Sequence, residues 1–476
     1  MDLSASVLDC LARHADQRPD AQAVENFGAK ITWRKFHDDA GRFVQALQEI
    51  GLRPGQIAAV EHPDPYLHWL LLVALEALGA VSASFLDSER DDLDQLGDLL
   101  DRSDIVLGRH DWNRQSQHLL NDGWLRSVLG RDARPSSGVA AMAEDWVRLN
   151  RSSGTTRRPK LMLMRKRMQD YWIAHVQEIE GYSPSSRLLV AYPFAVNAVY
   201  ARATANLRRG GLTIFGPAPR ILEGQDVTHL WLLPGLLKDV LSQLSPDAPQ
   251  RPELRLTTGG GAVSGDLREQ VRQRLGCEIL SGYGANEAGT AICRIDPDGV
   301  GRPYPGVSLR IVDESGCEAQ SGEIELRTPG LVEGYLGQQA QTRDSFKDGW
   351  FRTGDLGERL DGDRFCLLGR RDEALNFGGV KISAPALEEK ILRQVPELAD
   401  IAVLSIPDRT GEARMHIAAV LGPGCRLAAL IPKLALAVPK AAGEVKIKAV
   451  PVLPRTANGK LRRAEAAAIF LEKKGE

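Results

Sequence analysis

The chain has 476 residues, 43% hydrophobic and 26% charged, the composition of a globular protein too long for one ordinary core, so two or three domains are expected. Its 60 basic and 62 acidic residues leave a net charge of −2. That balance excludes the basic stripe of a nucleic-acid binder and gives no general attraction to an anionic membrane. The six cysteines, Cys10, Cys277, Cys293, Cys317, Cys366 and Cys425, form no CxxC pair and read as buried thiols of a reducing compartment.

The opening "MDLSASVLDCLARHADQRPD" alternates apolar and charged positions and is neither a signal nor a transit peptide, so a cytoplasmic location is expected. "ITWRKFHDDAGRFVQALQEIGL" predicts a short strand, then an amphipathic helix stopped by Gly51. "YLHWLLLVALEALGAVSASFL" is apolar enough to raise a membrane span, but His68, Glu76 and Gly79 interrupt it, and a buried core helix followed by a β-like run is expected instead. Strand-like runs continue with "QIAAVEH", "DIVLG", "RLLVAYP", "GLTIFGP", "HLWLLP" and "ILSGYG", with helical stretches between them, the alternation of parallel sheets covered by helices. From about Gly301 the texture shifts to short strands with Asp-Gly and Ser-Gly turns, predicting hairpins or a small barrel. After Arg370, "APALEEKILRQVPEL" is helical, "DIAVLSIPD" and "IAAVLG" are strands and "ALIPKLALAVPKA" is helix-like up to its proline, a small α+β domain of about a hundred residues.

Within this frame "RSSGTTRRPKLM", Arg151 to Met162, stands out. Ser152, Ser153, Thr155 and Thr156 offer hydroxyls, Gly154 lets the backbone approach, and Lys160 brings a mobile positive charge, the makings of an anion-binding turn. No Gly-Lys-Ser/Thr follows, so it is not a Walker A loop, and the absence of a GxGxxG after a first strand excludes a dinucleotide dehydrogenase.

Four more stretches complete the pattern: "SGYGANEAGT" (281–290), "WFRTGDLGE" (350–358), "GRRDEALNFGGVKIS" (369–383) and "LPRTANGKLRR" (453–463). In order with "SSGTTRRPK", they resemble the core motifs of the adenylate-forming superfamily of acyl-CoA synthetases, aryl-acid ligases and peptide-synthetase adenylation domains. Softer matches, among them "LTTGGGAVSGDLREQV" and "GEIELRTPGLVEGYLG", carry the resemblance along nearly the whole chain.

The resemblance implies an α/β fold in two parts. A large N-terminal domain, 1–370, has parallel-rich sheets covered by helices plus a small β-barrel-like subdomain; a small mobile α+β domain, 371–476, carries the catalytic lysine. It implies two steps, adenylation of a carboxylic acid by ATP and then capture of the acyl group by a thiol, with Mg2+, and with coenzyme A or carrier-bound phosphopantetheine as acceptor. The partners so implied are a small-molecule carboxylic acid and a separate acyl carrier protein, with no nucleic acid and no membrane span.

Carried over by motif, Lys460 bridges the substrate carboxylate and the α-phosphate, a role suited to a long point charge. Glu287 holds magnesium, one carboxylate being enough beside phosphate and water, and Asn286 donates to an oxygen beside it. Ser152, Ser153, Gly154, Thr155, Thr156 and Lys160 take the phosphates. Tyr283 lies against adenine, Gly260 and Gly261 in the turn Gly259–Gly261 give the base close access, and Asp355 and Arg370 take the ribose. Asp372 is the hinge; Gly378, Gly379 and Lys381 line the thiol passage. Val196, Asn197, Tyr200, Gly284 and Ala285, with Leu232 and Leu233, line a largely apolar acyl pocket with one polar handle.

The chain departs from the family at Arg157 and Leu161, where its loop usually has glycine, and at Asn286, where threonine is usual. "AYPFAVNAVYARA" lacks the aspartate that amino-acid-activating relatives use to pair an ammonium group, so a free α-amino acid is disfavoured. Two readings stand at this point: an acid–thiol ligase for an aryl or apolar acyl acid, and a degenerate nucleotide- or acyl-binding protein that kept the fold.

Overall fold

A computed structural model describes residues 5–90, 93–133, 141–152, 159–371, 374–377, 380–407, 413–439, 445–455 and 461–471. They group into two compact units, one of Met1–Asp296, Pro303–Ser308 and Leu326–Phe351, the other of Pro297–Arg302, Leu309–Glu325 and Arg352–Glu476.

In the first unit the predicted alternation appears as two sheets. One runs in the order Gln117–Leu119, Ile105–Gly108, Ile57–Val60, Val81–Ser84, Trp146–Ser152, Lys160–Arg165. Its first five strands pair in parallel and only the last turns back antiparallel. The other runs Ile279–Ala285, Arg255–Thr258, His229–Leu232, Arg187–Val190, Leu212–Phe215, Gln22–Asn26, Ala29–Thr32, parallel except at its ends, where Ala29–Thr32 and Gly289–Ile295 fold back on their neighbours. The helix predicted after "ITW" is Trp33–Glu49; the Thr32 hydroxyl caps it by accepting the Lys35 N–H, and Gly51 follows at φ +84°.

The apolar segment after Asp64 is the helix Pro65–Ala77, with Asp64 accepting the Leu67 N–H and Pro65 in the first turn. Nearly all its residues are buried in a core shared with Trp33, Phe36, Phe43 and Phe215, as an interior helix requires. No described helix is long and apolar enough to cross a membrane.

The second unit holds the predicted hairpin texture. Antiparallel strands run in the order Ser308–Val312, Ser321–Arg327, Trp350–Arg359, Phe365–Arg370, Val300–Pro303, and their residues fall in this unit except Ser308, Leu326–Arg327, Trp350–Phe351 and Pro303. The α+β portion is a sheet of Leu398–Pro407, Ala413–Leu421 and Lys446–Ala449 covered on both faces. Alternation along Leu398–Pro407 sends Ile401 and Val403 to the face covered by helices Ala384–Gln394 and Leu427–Ala437, and Ala402 and Leu404 to the face covered by Arg463–Leu471. Pro432 sits inside Leu427–Ala437 without ending it. Pro432 and Ala428, whose carbonyl loses its intrahelical partner, are both exposed. None of the six cysteines forms a disulfide, but only Cys10, Cys277 and Cys293 are buried; Cys317 is exposed, a correction to the all-buried expectation. It sits in the connection between Val312 and Ser321, where its N–H donates to Asp313 rather than to a strand.

Candidate active site

The stretch that opens the site is the connection of an antiparallel hairpin. Trp146–Ser152 pairs with Lys160–Arg165 in the register Ser152 to Lys160, Arg151 to Leu161 and Asn150 to Met162. Residues 153–158, with Ser153, Gly154, Thr155, Thr156, Arg157 and Arg158, lie outside the described residues, as does the side chain of Ser152.

At the root of this connection Leu161 has a role that its motif position conceals. It is a strand residue, 3% exposed, packed with Leu149, Phe85, Leu99 and Trp112. A glycine there would leave a void in that cluster, so the side chain is accounted for by packing. Asn286 reaches the same root, its Nδ2 donating to the Arg151 carbonyl at 3.3 Å, while the Arg151 guanidinium is paired with Glu89 at 2.8 Å.

Glu287 follows in the turn between Ile279–Ala285 and Gly289–Ile295 and is 8% exposed. Its Oε1 accepts the Tyr335 hydroxyl at 2.9 Å. The Lys160 ammonium stands 4.4 Å from the centroid of the same Tyr335 ring, within cation–π range. Lys160 and Glu287, both expected from sequence, are thus joined by a residue that sequence reasoning did not single out. The signal lay in "GLVEGYLG", whose lone aromatic is this tyrosine.

Asn197 begins the helix Asn197–Arg209, with Val196 as its N-cap. The Asn197 Nδ2 is buried and meets no acceptor among the described residues. Tyr192 and Trp231 pack as a tilted pair with ring centroids 5.4 Å apart, and the Tyr192 hydroxyl accepts the Leu233 N–H at 3.1 Å; burial pushes that phenol up to about 12. Gly260 has φ +70°, a conformation that favours glycine, while a Cβ on it would come 2.9 Å from the terminal Cδ2 of Leu233, which can shift aside. Gly261 has only Pro234 at 3.6 Å and no such demand. Tyr283, Gly284 and Ala285 close their strand half-buried, Tyr283 opposite Cys293. Tyr200 is placed otherwise. It is 3% exposed, donates to Glu76 at 2.7 Å and lies under the buried Arg148 guanidinium at 3.4 Å, so its hydroxyl is committed to the interior. Burial and then Glu76 hold its pKa far above the usual range.

In the second unit Asp355 and Arg370 are cross-strand neighbours, and the guanidinium donates to Asp355 Oδ1 at 3.1 Å and to the Thr353 carbonyl at 3.0 Å. Within its strand, the backbone before Asp355 is set by Gly354 at φ +75° and by Glu323, which sequence reasoning did not single out. Buried at 5% exposure, Glu323 accepts from Arg352 at 2.6 Å, from Arg371 at 2.9 Å and from the Gly354 N–H at 3.1 Å. Asp372, Gly378, Gly379 and Lys460 lie outside the described residues; Lys381 pairs with Asn376 in a hairpin, but its side chain is not described.

The profile of the family described as AMP-binding enzyme matches residues 11–336. The chain belongs to that family. Among AMP-binding relatives, the fatty acid–[acyl-carrier-protein] ligase MmaC of Mycobacterium marinum is 26% identical over 531 aligned positions, covering 98% of each chain. The 2-succinylbenzoate–CoA ligase of Bacillus licheniformis is 27% identical, over 84% of this chain and 87% of that one. The crystal structure of ATP-bound MatB from Rhodopseudomonas palustris has a TM-score of 0.85 at 22% identity, over 97% of this chain and 99% of the other, a likeness of fold. Lys160, Glu287 and Tyr335 fall inside the matched span; Asp355 and Arg370 lie beyond its end.

Proposed function

We propose that the chain joins a carboxylic acid to a thiol at the expense of ATP. The substrate carboxylate attacks the α-phosphorus, the bond to pyrophosphate breaks, and an acyl-adenylate forms. The sulfur of a phosphopantetheine arm, as free coenzyme A or on a separate carrier protein, then attacks the acyl carbon; the acyl–phosphate bond breaks, AMP leaves and the thiol proton passes to solvent. The observation that carries this reading is the Lys160–Tyr335–Glu287 arrangement at the root of the 153–158 connection, in a chain of the AMP-binding enzyme family. It gives a cation and a buried carboxylate set in advance, which an anion attacking a polyphosphate requires.

Among the described residues no cluster of three or more acids, histidines or cysteines could cage a metal. A single carboxylate held at one oxygen by Tyr335 fits magnesium, which keeps phosphate and water as its other ligands. When bound there, the ion neutralises polyphosphate charge. Asp355 and Arg370 take the ribose, Tyr283 the adenine and Asn286 an oxygen beside the metal. The segment 371–476 swings on Asp372, presenting Lys460 for adenylation and the Gly378–Gly379 passage, with Lys381, for thiolation. The acid is apolar or aryl, received near Val196, Ala285, Tyr192 and Trp231, with the Asn197 Nδ2, which meets no acceptor among the described residues, as donor to one substrate oxygen. The names of the relatives, one acting on a carrier protein and one on coenzyme A, support both thiol sources. Leu161 no longer counts toward a decayed loop, because packing explains it.

The test is carboxylate-dependent exchange of labelled pyrophosphate into ATP, across fatty and aryl acids, with wild type and Lys460→Ala. Exchange with one acid class, reduced by roughly 10²–10³ in the variant, is expected for a lost charge clamp. Thioester formation with free coenzyme A, set against a panel of carrier proteins, then identifies the acceptor. No exchange with any acid overturns the reading.

A further inference from the structure

Three segments distant in sequence meet at Tyr335. The Val332 N–H donates to the Glu287 carbonyl at 2.9 Å, and the Leu336 N–H donates to the Leu161 carbonyl at 2.7 Å. The short segment 332–336 is therefore tied at one end to the residue expected to hold magnesium and at the other to the strand that carries Lys160. Gly334 makes this possible: its φ is +147°, and a Cβ there would lie 2.3 Å from Thr342 Cγ2. The Thr342 hydroxyl in turn accepts the Tyr335 N–H at 2.9 Å. Met162, Val332 and Phe346 pack around the Tyr335 ring, which is 6% exposed.

We propose that Tyr335 is a positioning residue that sets the Glu287 carboxylate and the Lys160 ammonium as one unit. The inference rests on the reading of Glu287 as the metal-holding residue and Lys160 as a phosphate-facing one. One phenol makes both contacts, its hydroxyl holding Glu287 Oε1 and its ring face holding the ammonium 4.4 Å away. Donation to a carboxylate enriches the ring in electron density, which strengthens its hold on a cation. Without the phenol, each side chain loses a contact that fixes it before nucleotide arrives, and part of its ordering becomes a cost borne by binding. A hydrogen-bond partner of a metal-ligating carboxylate changes metal affinity by about 10- to 100-fold when removed.

Tyr335→Phe keeps the ring and removes the hydrogen bond to Glu287 Oε1. It is expected to raise the Mg2+ concentration for half-maximal pyrophosphate exchange by about tenfold, while the KM for the acid stays within twofold of wild type. Tyr335→Leu removes the ring as well and is expected to add a rise in the KM for ATP. A second readout needs no turnover: the rise in melting temperature produced by ATP, measured in Mg2+ and in EDTA. In Tyr335→Phe the extra rise due to Mg2+ should shrink, and the rise in EDTA should match wild type. Glu287→Gln keeps an acceptor for the phenol; it should lose the Mg2+-dependent part with the ligand-free melting temperature unchanged.

The inference is overturned by a Tyr335→Phe variant whose Mg2+ requirement is within twofold of wild type. It is overturned equally by one whose acid KM, Mg2+ requirement and EDTA shift all move together, the pattern of a purely structural role. Wild-type protein that exchanges with no acid removes the ligase reading alone, because the melting arm still decides whether Mg2+ acts on nucleotide binding through Glu287 and Tyr335.

Discussion

Glu287 and Asp355 are both carboxylates expected to face the nucleotide, yet the chain holds them in different ways. Glu287 is buried, and its phenol partner comes from 48 residues away, on a segment pinned by two backbone hydrogen bonds. Asp355 meets Arg370 across an antiparallel ladder 15 residues on, with the guanidinium 39% exposed. The first arrangement exists only when the first unit is folded and its core packed. The second needs only a hairpin, and its ion pair, open to water and screened, adds little stability. The charge that must be set before chemistry is thus built on the core, and the contacts expected for the sugar are built on a ladder supported by Glu323.

The largest effect that would break this contrast is at the hairpin root. Leu161→Gly restores the usual family residue, but it is expected to cost about 3–5 kcal/mol in urea unfolding, from a lost buried leucine and a strand glycine. Higher exchange activity at unchanged stability would instead favour a drifted loop. Glu323→Gln should cost about 1–3 kcal/mol, because an amide keeps one oxygen and sets its NH2 donor against either the two arginines or the Gly354 N–H. It should also raise the KM for ATP severalfold with the Mg2+ requirement unchanged; a changed Mg2+ requirement would join the two regions that the contrast separates.

The smallest expected effect is on acid stability. Burial lowers His14, His62, His68, His118, His175 and His229 in the first unit and only His416 in the second, with His68 pushed down to about 3. A lowered folded value means that the unfolded chain binds more protons between pH 6.5 and 3, so stability is fully present above pH 6.5 and falls as pH falls through that window. At pH 5.5 His68 alone removes on the order of 1 kcal/mol. All eight tryptophans belong to the first unit, so tryptophan fluorescence should show a lower unfolding midpoint at pH 5.5 than at 7.5, and His68→Gln should flatten the difference. An unshifted midpoint contradicts it.

Much of the fold was legible because local signals agreed with burial. The Thr32 cap and Gly51 stop bracket a 3.6-period helix, and the runs closed by glycine or proline became the parallel strands. The hairpin around the phosphate-type stretch was harder to see, since motif matching reads "SSGTTRRPK" as a loop and passes over the apolar alternation in "WVRLN" that makes the strand. Leu161 looked like a failed glycine for the same reason. A motif records a residue's place in a pattern, and only packing shows that its side chain fills a core. Lys160, Glu287, Asp355 and Arg370 were named from type and order, whereas Tyr335 and Glu323 act through partners that only folding brings near. Tyr200 was named for a pocket, but the helix turns its hydroxyl to Glu76.

The most direct test of the account is calorimetric binding of ATP with Mg2+, ATP in EDTA, and adenosine to wild type, Glu287→Gln and Asp355→Ala. The account predicts a crossing pattern: Glu287→Gln loses only the gain that Mg2+ gives to ATP, and Asp355→Ala weakens all three ligands by a similar factor, about tenfold for a lost charge-assisted pair of hydrogen bonds. Equal losses for every ligand in both variants, or adenosine binding untouched by Asp355→Ala, would contradict it.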